Sequence, residues 1–426
     1  MKFGLFYELQ LPKPADKDTW DPGDEHRIVK EALEQVEFAD SLGFDYVFEV
    51  EHHFLEEYSH SSAPEVFLAA ASQRTKRMRL GHGIVLTPPP VNHPARIAER
   101  IAMLDLVSDG RVEFGTGESS SDMELGGFGV DRASKKAMWE EGLREVINMM
   151  TSEPYGGVDG TYVKMPSRNV IPKPLQKPHP PLWVAASRRE TVMVAARMGL
   201  GSLGFAFETP AEARERVAEY YRLVREECFP VGKAINPAVA IVSTFMCAKT
   251  DEEALMKAVL GAPFFAYSLN YYYVDAAQTP HPPGKQHLWR NFLATPMEEH
   301  LRRIEQRTGI PFSAGAGGSD APQTGLGADS EPKSESQRAL WRAARRGATI
   351  GSPAFMRESL KEYEDAHLDL MIMVAQCGMV KHEDIMAGIE LFAKEVMPEF
   401  TERHTMHQEW RKAQLKGVDY PINSSI

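Results

Sequence analysis

The stretch Tyr46-Val47-Phe48-Glu49-Val50-Glu51-His52-His53-Phe54 decides how this chain is read. An apolar, β-prone run leads straight into two adjacent histidines between a glutamate and a phenylalanine. Parallel α/β barrels place their reactive groups at the carboxyl ends of buried strands, and this stretch has that form. Outward from it, the same rhythm repeats. Residues 2–9 read as a buried strand. Residues 24–42 read as a helix, with Ile28, Val29, Ala32, Leu33, Val36 and Ala39 at helical spacing and Gly43 as its stop. Further strands begin near Met78, Val112, Leu182, Ser202, Ala238 and Leu370, and helices separate them.

Eight strands alternating with helices predict a (β/α)8 barrel, an α/β TIM barrel with insertions. An open doubly wound sheet is the alternative, but no G-x-G-x-x-G follows the first strand. The barrel is expected over residues 1–400, with a polar tail over 401–426. The largest insertion, about 261–350, falls between the seventh and eighth strands. It opens with an aromatic cluster (Phe264, Phe265, Tyr267, Tyr271, Tyr272, Tyr273) and passes into 313–336, rich in Gly, Ser, Ala and Pro. Such a segment buries little apolar surface and is expected to be mobile. The aromatics suit either a greasy lid or a satellite core.

Composition narrows the function. A net charge of −12 over 426 residues disfavours a nucleic-acid or anionic-membrane partner, whose footprint would be basic. No apolar run reaches the ~18 residues of a membrane span. The first strand starts at once, so no signal peptide is expected. Cys228, Cys247 and Cys377 lack paired spacing, which fits a reducing, cytoplasmic setting.

Four stretches fall at predicted strand ends and would converge on one barrel mouth: Glu51-His52-His53, Gly115-Thr116-Gly117-Glu118-Ser119, Ala186-Ser187-Arg188-Arg189 and Gln376-Cys377-Gly378. Adjacent strand residues face opposite ways, so one histidine points inward and the other sideways. An inward imidazole suits general acid–base work; a hydrogen-bonded core histidine fits equally. Ser187 heads a helix whose free N–H groups suit a phosphate, with Arg188 and Arg189 adding charge. An ordinary serine N-cap gives the same pattern. Gly81 and Gly83 within the third strand suggest close approach of a ligand or of backbone, and Gly115 and Gly117 admit a flat ligand or mark a turn. No metal is expected. Vicinal histidines on one strand bind one ion poorly, and His404 and His407 lack a companion Cys or Asp set.

These residues together resemble the bacterial luciferase-like, flavin-dependent monooxygenases. The resemblance rests on Met1-Lys2-Phe3-Gly4, Leu42-Gly43-Phe44-Asp45, Glu51-His52-His53-Phe54, Leu80-Gly81, His93-Pro94-Ala95-Arg96, the run from Leu104 to Gly115, and Val184-Ala185-Ala186-Ser187. It is strong over 1–205, weaker over 206–260 and 350–400, and absent from the insertion and tail. It implies a barrel that uses reduced FMN, delivered by a separate flavin reductase, and O2. A flavin hydroperoxide would oxygenate a small, apolar organic substrate. Such a species must be kept from water, and the insertion over 261–350, with its aromatics, is the candidate lid on physical grounds. The resemblance makes His52 the catalytic histidine with His53 as its neighbour, and Ser187 a phosphate-binding serine. It lines the flavin ring with the strand over 81–85 (Gly81, Gly83 and Ile84 among its residues), where family members often hold a cis peptide. A reactive cysteine and a phosphate-binding arginine of the family are replaced here by Gly117 and Glu118. Arg188 or Arg189, with Ser119 and Ser120, would then take over the phosphate. It also implies a homodimer through the helices near 65–74 and 94–107. Three other readings stay open: a deazaflavin-dependent reductase or dehydrogenase on the same barrel, a non-catalytic flavin-binding partner subunit, and a metal hydrolase.

Overall fold

Period-two alternation within short β-prone segments builds the barrel. In the computed structural model, which describes residues 1–186, 188–205, 209–275, 286–295 and 349–426, eight parallel strands close on themselves. They are β1 (Lys2–Tyr7), β2 (Tyr46–Glu49), β3 (Arg79–His82), β4 (Val112–Gly117), β5 (Leu182–Ala185), β6 (Gly201–Phe205), β7 (Val239–Thr244) and β8 (Leu370–Val374). Each pairs with the next in sequence, as in Phe6↔Phe48, Phe48↔Gly81 and Gly81↔Glu113. β8 closes the ring onto β1 through Lys2↔Leu370.

The alternation sorts side chains into two cores. Phe6, Tyr46, Phe48, Trp183, Ala240, Val242, Leu370 and Ile372 fill the barrel interior. Their sequence neighbours Leu5, Val47, Leu80, Phe114, Ile241 and Met371 face outward onto the helices. Each fully buried side chain of this size contributes ~1.5–3 kcal/mol. The helix Pro94–Val107 shows how the outer layer is specified. Pro94 occupies its first turn, His93 Nδ1 accepts from the Ala95 N–H at 3.2 Å, and Ile97, Ala98, Ile101 and Leu104 form the buried stripe.

Residues 153–180 contain a small antiparallel hairpin, Tyr155–Asp159 with Lys164–Arg168. The insertion between β7 and β8 is not irregular at its start. A helix, Ala262–Asn270, runs into a π-helical turn, Tyr271–Asp275, and a further helix spans Leu288–Ala294. Phe264, Phe265 and Tyr272 are buried and join the barrel's inner cluster with Trp289 and Phe292. These aromatics therefore extend the core over the mouth. The stretch 313–336 lies outside the described residues.

The boundary expected at 400 falls inside the helix Met397–Gln414. The chain then returns to the amino-terminal end of the barrel. Ile422 bridges Ile235, the Ser425 hydroxyl lies 2.8 Å from that of Tyr46, and Ile426 enters the inner cluster. No described helix is long and apolar enough to cross a membrane.

Candidate active site

Two strands end in glutamate and histidine at the same mouth. Glu8 follows β1 directly, and His52 lies three residues beyond β2. Residues 50–52 stay extended enough to pair onward, the Glu51 N–H donating to the Ile84 carbonyl and the His52 N–H to that of Ser61. His52 Nδ1 sits 3.0 Å from Glu124 Oε1, and its Nε2 sits 3.4 Å from Glu8 Oε2. The Tyr273 hydroxyl, from the π-helical turn, lies 3.2 Å from Nε2 and 3.3 Å from Nδ1. One imidazole thus stands between two carboxylates, with a phenol at its edge.

The surroundings set different proton affinities for these acids. Glu124 is buried, which by itself is the largest influence and favours its neutral form, but the charge of His52 and the hydrogen bonds it accepts together outweigh this. These hydrogen bonds come from His52, from the Ser119 hydroxyl (2.6 Å) and from the His53 N–H (3.0 Å), and the carboxyl is held below its usual range. Glu8 is equally buried, and among the described residues its carboxyl accepts one hydrogen bond, from the Tyr58 hydroxyl at 2.9 Å, on Oε1. Burial, opposed by His52 and Tyr58, raises it to about 7. For His52, burial opposes protonation, but Glu8 and then Glu124 outweigh it and raise the imidazole to about 9. The side chain remains 17% exposed, so solvent or a ligand reaches it.

His53 turns the other way, as the alternation requires. Its Nε2 lies 3.1 Å from Glu51 Oε1, and its ring packs edge-on against Phe128. Glu51 also accepts from the Asn92 amide (2.7 Å) and the Leu86 N–H (2.7 Å). That side of the pair is a hydrogen-bonded brace.

The remaining expected residues divide. The Ser119 hydroxyl anchors Glu124, and Ser119 adopts φ +62, a strained conformation for a serine. Glu118 Oε1 accepts from Lys135 Nζ at 2.6 Å, which supplies the compensating cation in this loop; its Oε2 is buried and makes no hydrogen bond. A Cβ on Gly81 would meet the Phe48 ring at 2.3 Å, one on Gly83 would crowd Phe6 and Phe48, and one on Gly117 would meet Ile84 at 2.5 Å. The close approach inferred at these glycines is by side chains of the protein itself. The stretch 81–85 is trans, the cis peptides among described residues preceding Pro154, Pro172 and Pro178. Arg188 is exposed at the N-cap of the helix Arg189–Arg197, and the Arg189 guanidinium pairs with Glu219 on the helix Pro210–Glu226. The structure does not bring either to Ser119 or Glu118 through a direct hydrogen bond. Ser187 lies outside the described residues. At the fourth strand end, Gln376 braces Gln10 through a 3.0 Å and a 2.7 Å hydrogen bond, and burial pushes the Cys377 thiol up to about 12. No group of three metal-ligating side chains occurs among the described residues.

Sequence reasoning missed Glu8, Tyr58 and Glu124, and placed Tyr273 in the aromatic cluster without its contact to His52. Applying the strand-end criterion to β1 would have found Glu8. Ser121-Asp122-Met123-Glu124 has the spacing of a capping box, which disguised Glu124 as a helix-start residue. Ser121 does cap the helix Asp122–Gly127, through Met123 N–H at 3.2 Å, while Glu124 turns to His52.

The mouth also fits a flat cofactor. Ile84, half-buried, and Ala185, exposed at the end of β5, offer an apolar floor. The unpartnered Glu118 Oε2 is an acceptor suited to a hydroxyl donor.

Comparison with known proteins agrees with this architecture. The chain is 26% identical over 275 residues to the oxygenase component of a flavin-dependent trigonelline monooxygenase of Acinetobacter baylyi, covering 63% of this chain and 71% of that protein. It spans about half the length of the first curated relatives that it matches, such as 55% of an uncharacterized protein of Sinorhizobium fredii at 34% identity. Among solved structures, the FMN complex of the oxygenating constituent of 3,6-diketocamphane monooxygenase from Pseudomonas putida superposes with a TM-score of 0.66 at 18% identity, covering 94% of this chain and 98% of that one. An F420-dependent secondary alcohol dehydrogenase shares the fold at a TM-score of 0.59 and 15% identity, covering 93% and 98%. The model of the luciferase-like monooxygenases matches residues 1–370. This chain belongs to the luciferase-like monooxygenase family.

Proposed function

We propose that the protein is a flavin-dependent monooxygenase that uses reduced FMN and O2 to insert one oxygen atom into a small, apolar organic substrate. The observation that carries this reading is the clamped imidazole of His52 at the barrel mouth, with Nδ1 held by Glu124 and Nε2 presented beside Tyr273. The family membership supplies the cofactor class. Reduced FMN, delivered by a separate flavin reductase, supplies the two electrons that activate dioxygen.

The chain's own residues supply the rest. Ile84 and Ala185 would bear the flat ring, while Glu118 would accept from a hydroxyl of the cofactor side chain and Lys135 would offset its charge. Glu124 holds Nδ1–H, which fixes the ring so that Nε2 is the working atom. His52 would hold or deliver the proton that oxygen transfer requires. Phe265, Tyr58 and Tyr272, packed over the mouth, would exclude water from the reacting atoms. Val66 and Met103, 66% and 52% exposed on the helices Pro64–Arg74 and Pro94–Val107, leave an apolar face that suits a second copy of the chain.

The test supplies the protein with reduced FMN, 18O2 and a panel of apolar substrates. One labelled oxygen per product molecule is expected, with His52→Gln slower by ~10²–10⁴-fold. Unlabelled product throughout, with turnover only on a deazaflavin, reduced for a reductase or oxidised for a dehydrogenase, would transfer the protein to the deazaflavin-dependent branch of the fold.

A further inference from the structure

Glu8 has no role in the reaction proposed above, yet its carboxyl is buried beside His52. It is 1% exposed, inside an aromatic wall of Tyr58 and the inner barrel cluster. Its position is fixed: the Tyr58 hydroxyl donates to Oε1, and the Ser59 hydroxyl donates to its backbone carbonyl at 2.7 Å. Oε2 makes no hydrogen bond and lies 3.4 Å from His52 Nε2. A buried carboxylate oxygen left without a donor is costly unless a proton or a charge comes to it. Among the described residues, the group placed to bring either is His52.

The two sides of the imidazole are not equivalent. Glu124 already accepts from Ser119 and the His53 N–H, so its negative charge is spread over three donors and it keeps Nδ1–H in place. Glu8 has a single side-chain donor among the described residues and lies beside Nε2, while the Tyr273 hydroxyl is about equally near both nitrogens. Glu51 is spoken for by His53, Asn92 and Leu86 N–H. The mobile proton of the cluster therefore has two seats, Nε2 and Glu8 Oε2.

We infer that Glu8 is the proton store of His52, a positioning residue that takes the Nε2 proton when the imidazole must act as a base and returns it when the imidazole must act as an acid. In the forward step the Nε2–H bond breaks, an O–H bond forms on Glu8 Oε2, and the freed Nε2 lone pair accepts a proton from the ligand. The return step reverses both bonds, and no electrons are exchanged with any oxidant. The groups facing this pair are Glu124, Tyr58, Tyr273, the buried Glu49 of β2 and, at longer range, Glu51. The raised affinities of Glu8 and His52 for protons agree with the geometry. The inference rests on the reading of His52 as the acid–base group of the proposed reaction.

The experiment needs neither flavin nor oxygen, so its failure is distinct from failure of the monooxygenase reading. The His52 Cε1–H resonance, assigned by its loss in His52→Gln, is titrated by NMR in the full chain. Glu8→Gln should lower the proton affinity of His52 by tenfold or more, and Glu8→Asp, which keeps a carboxylate, should lower it less. In the active enzyme, the pH profile of kcat should move with the NMR value in Glu8→Gln, while KM for the organic substrate stays within twofold. A His52 proton affinity in Glu8→Gln within twofold of the unaltered protein would overturn the proposal. If Glu8→Gln does not fold, Tyr58→Phe serves: freeing Oε1 makes Glu8 more basic and must change the His52 titration, and an unchanged titration has the same adverse meaning.

Discussion

The two ends of this barrel hold buried charge under opposite regimes. At the amino-terminal end, Asp369 precedes β8 and accepts from the Tyr221 hydroxyl (2.9 Å to each oxygen), from His407 Nε2 (2.8 Å) and from the Val239 N–H (2.7 Å), with Arg411 at 3.1 Å. Glu113, early in β4, accepts from Trp183 Nε1 at 2.6 Å and from Arg79 and Ser425. Both oxygens of both acids are satisfied. At the carboxyl end, Glu8, Glu49 and Glu118 each keep a buried oxygen without a hydrogen bond, and Ser119 is held at positive φ. A fully satisfied network rigidifies; a partly satisfied one holds charge and strain available for change. The same eight strands therefore carry a foundation at one end and a reactive site at the other.

The sharpest way to break that contrast is to damage the foundation. Asp369→Asn removes the countercharge of Arg411 and leaves one acceptor oxygen where the His407 and Val239 donors now use two, with the side chains of His407 and Arg411 nearly inaccessible. Losing one partner of a buried pair costs about 3–5 kcal/mol. Urea denaturation should show a loss of this size, and a loss under 1 kcal/mol would mean that the amino-terminal end is not the foundation described. Burial opposes ionisation of Asp369, yet Arg411 and the His407 hydrogen bond hold its carboxyl below the usual range, in keeping with a charge that is permanently used.

Between the two ends lies the interior wall, where Gly81 faces the Phe48 ring. Gly81→Ala places a Cβ 2.3 Å from that ring and must displace it. Overpacking of this kind costs about 1–3 kcal/mol. Phe48→Leu in the same chain should recover part of the loss. If the two losses simply add, the glycine is there for a reason other than the phenylalanine.

The barrel was legible because its alternation is local. Strands expected at Lys2, Tyr46, Val112, Leu182 and Leu370 begin at those residues, and those expected at Met78, Ser202 and Ala238 begin one residue away. His52 was legible for the same reason, since it sits where an apolar strand stops. Its partners were not. Tyr273 comes from an insertion 221 residues later, and its approach depends on the packing of Phe264, Phe265 and Tyr272 over the mouth. Glu124 carries the local signature of a helix start, and only the fold shows that its side chain turns away. The arginines after Ser187 read as a phosphate clamp because charge is visible in sequence, whereas the Glu219 partner of Arg189 lies 30 residues off on another helix. Long-range pairings of polar groups are the part of a site that a one-dimensional pattern does not record.

The pH dependence of stability sharpens the comparison at the reactive end. Glu8 is raised to about 7 in the fold, and the unfolded chain ionises it near its ordinary value. Between those values the folded protein holds the extra proton, so stability falls as pH rises from about 4.5 towards 7. His52 is raised to about 9, so its contribution is complete below about 6.5 and is lost as pH rises through 9. Both slopes have the same sign, and each is at most about 1.4 kcal/mol per pH unit. The melting temperature should therefore decline from weakly acid to alkaline pH, and the decline should flatten in the double variant Glu8→Gln/His52→Gln. An equally steep decline in that variant would move its origin elsewhere.

The smallest effect is the most telling, because it repeats the first substitution at the other end. Glu8→Gln is the same carboxylate-to-amide change as Asp369→Asn, in a position just as buried. Glu8 has a single hydrogen bond to lose, and its charged form is already disfavoured by burial. The amide oxygen keeps the Tyr58 donor, and what disappears is the attraction to His52. The unfolding free energy from urea denaturation should stay within about 1 kcal/mol of that of the unaltered protein, the range expected for one net hydrogen bond. A loss as large as that of Asp369→Asn would show that Glu8 supports the fold, and the distinction between the two ends would fail at the residue where it matters most.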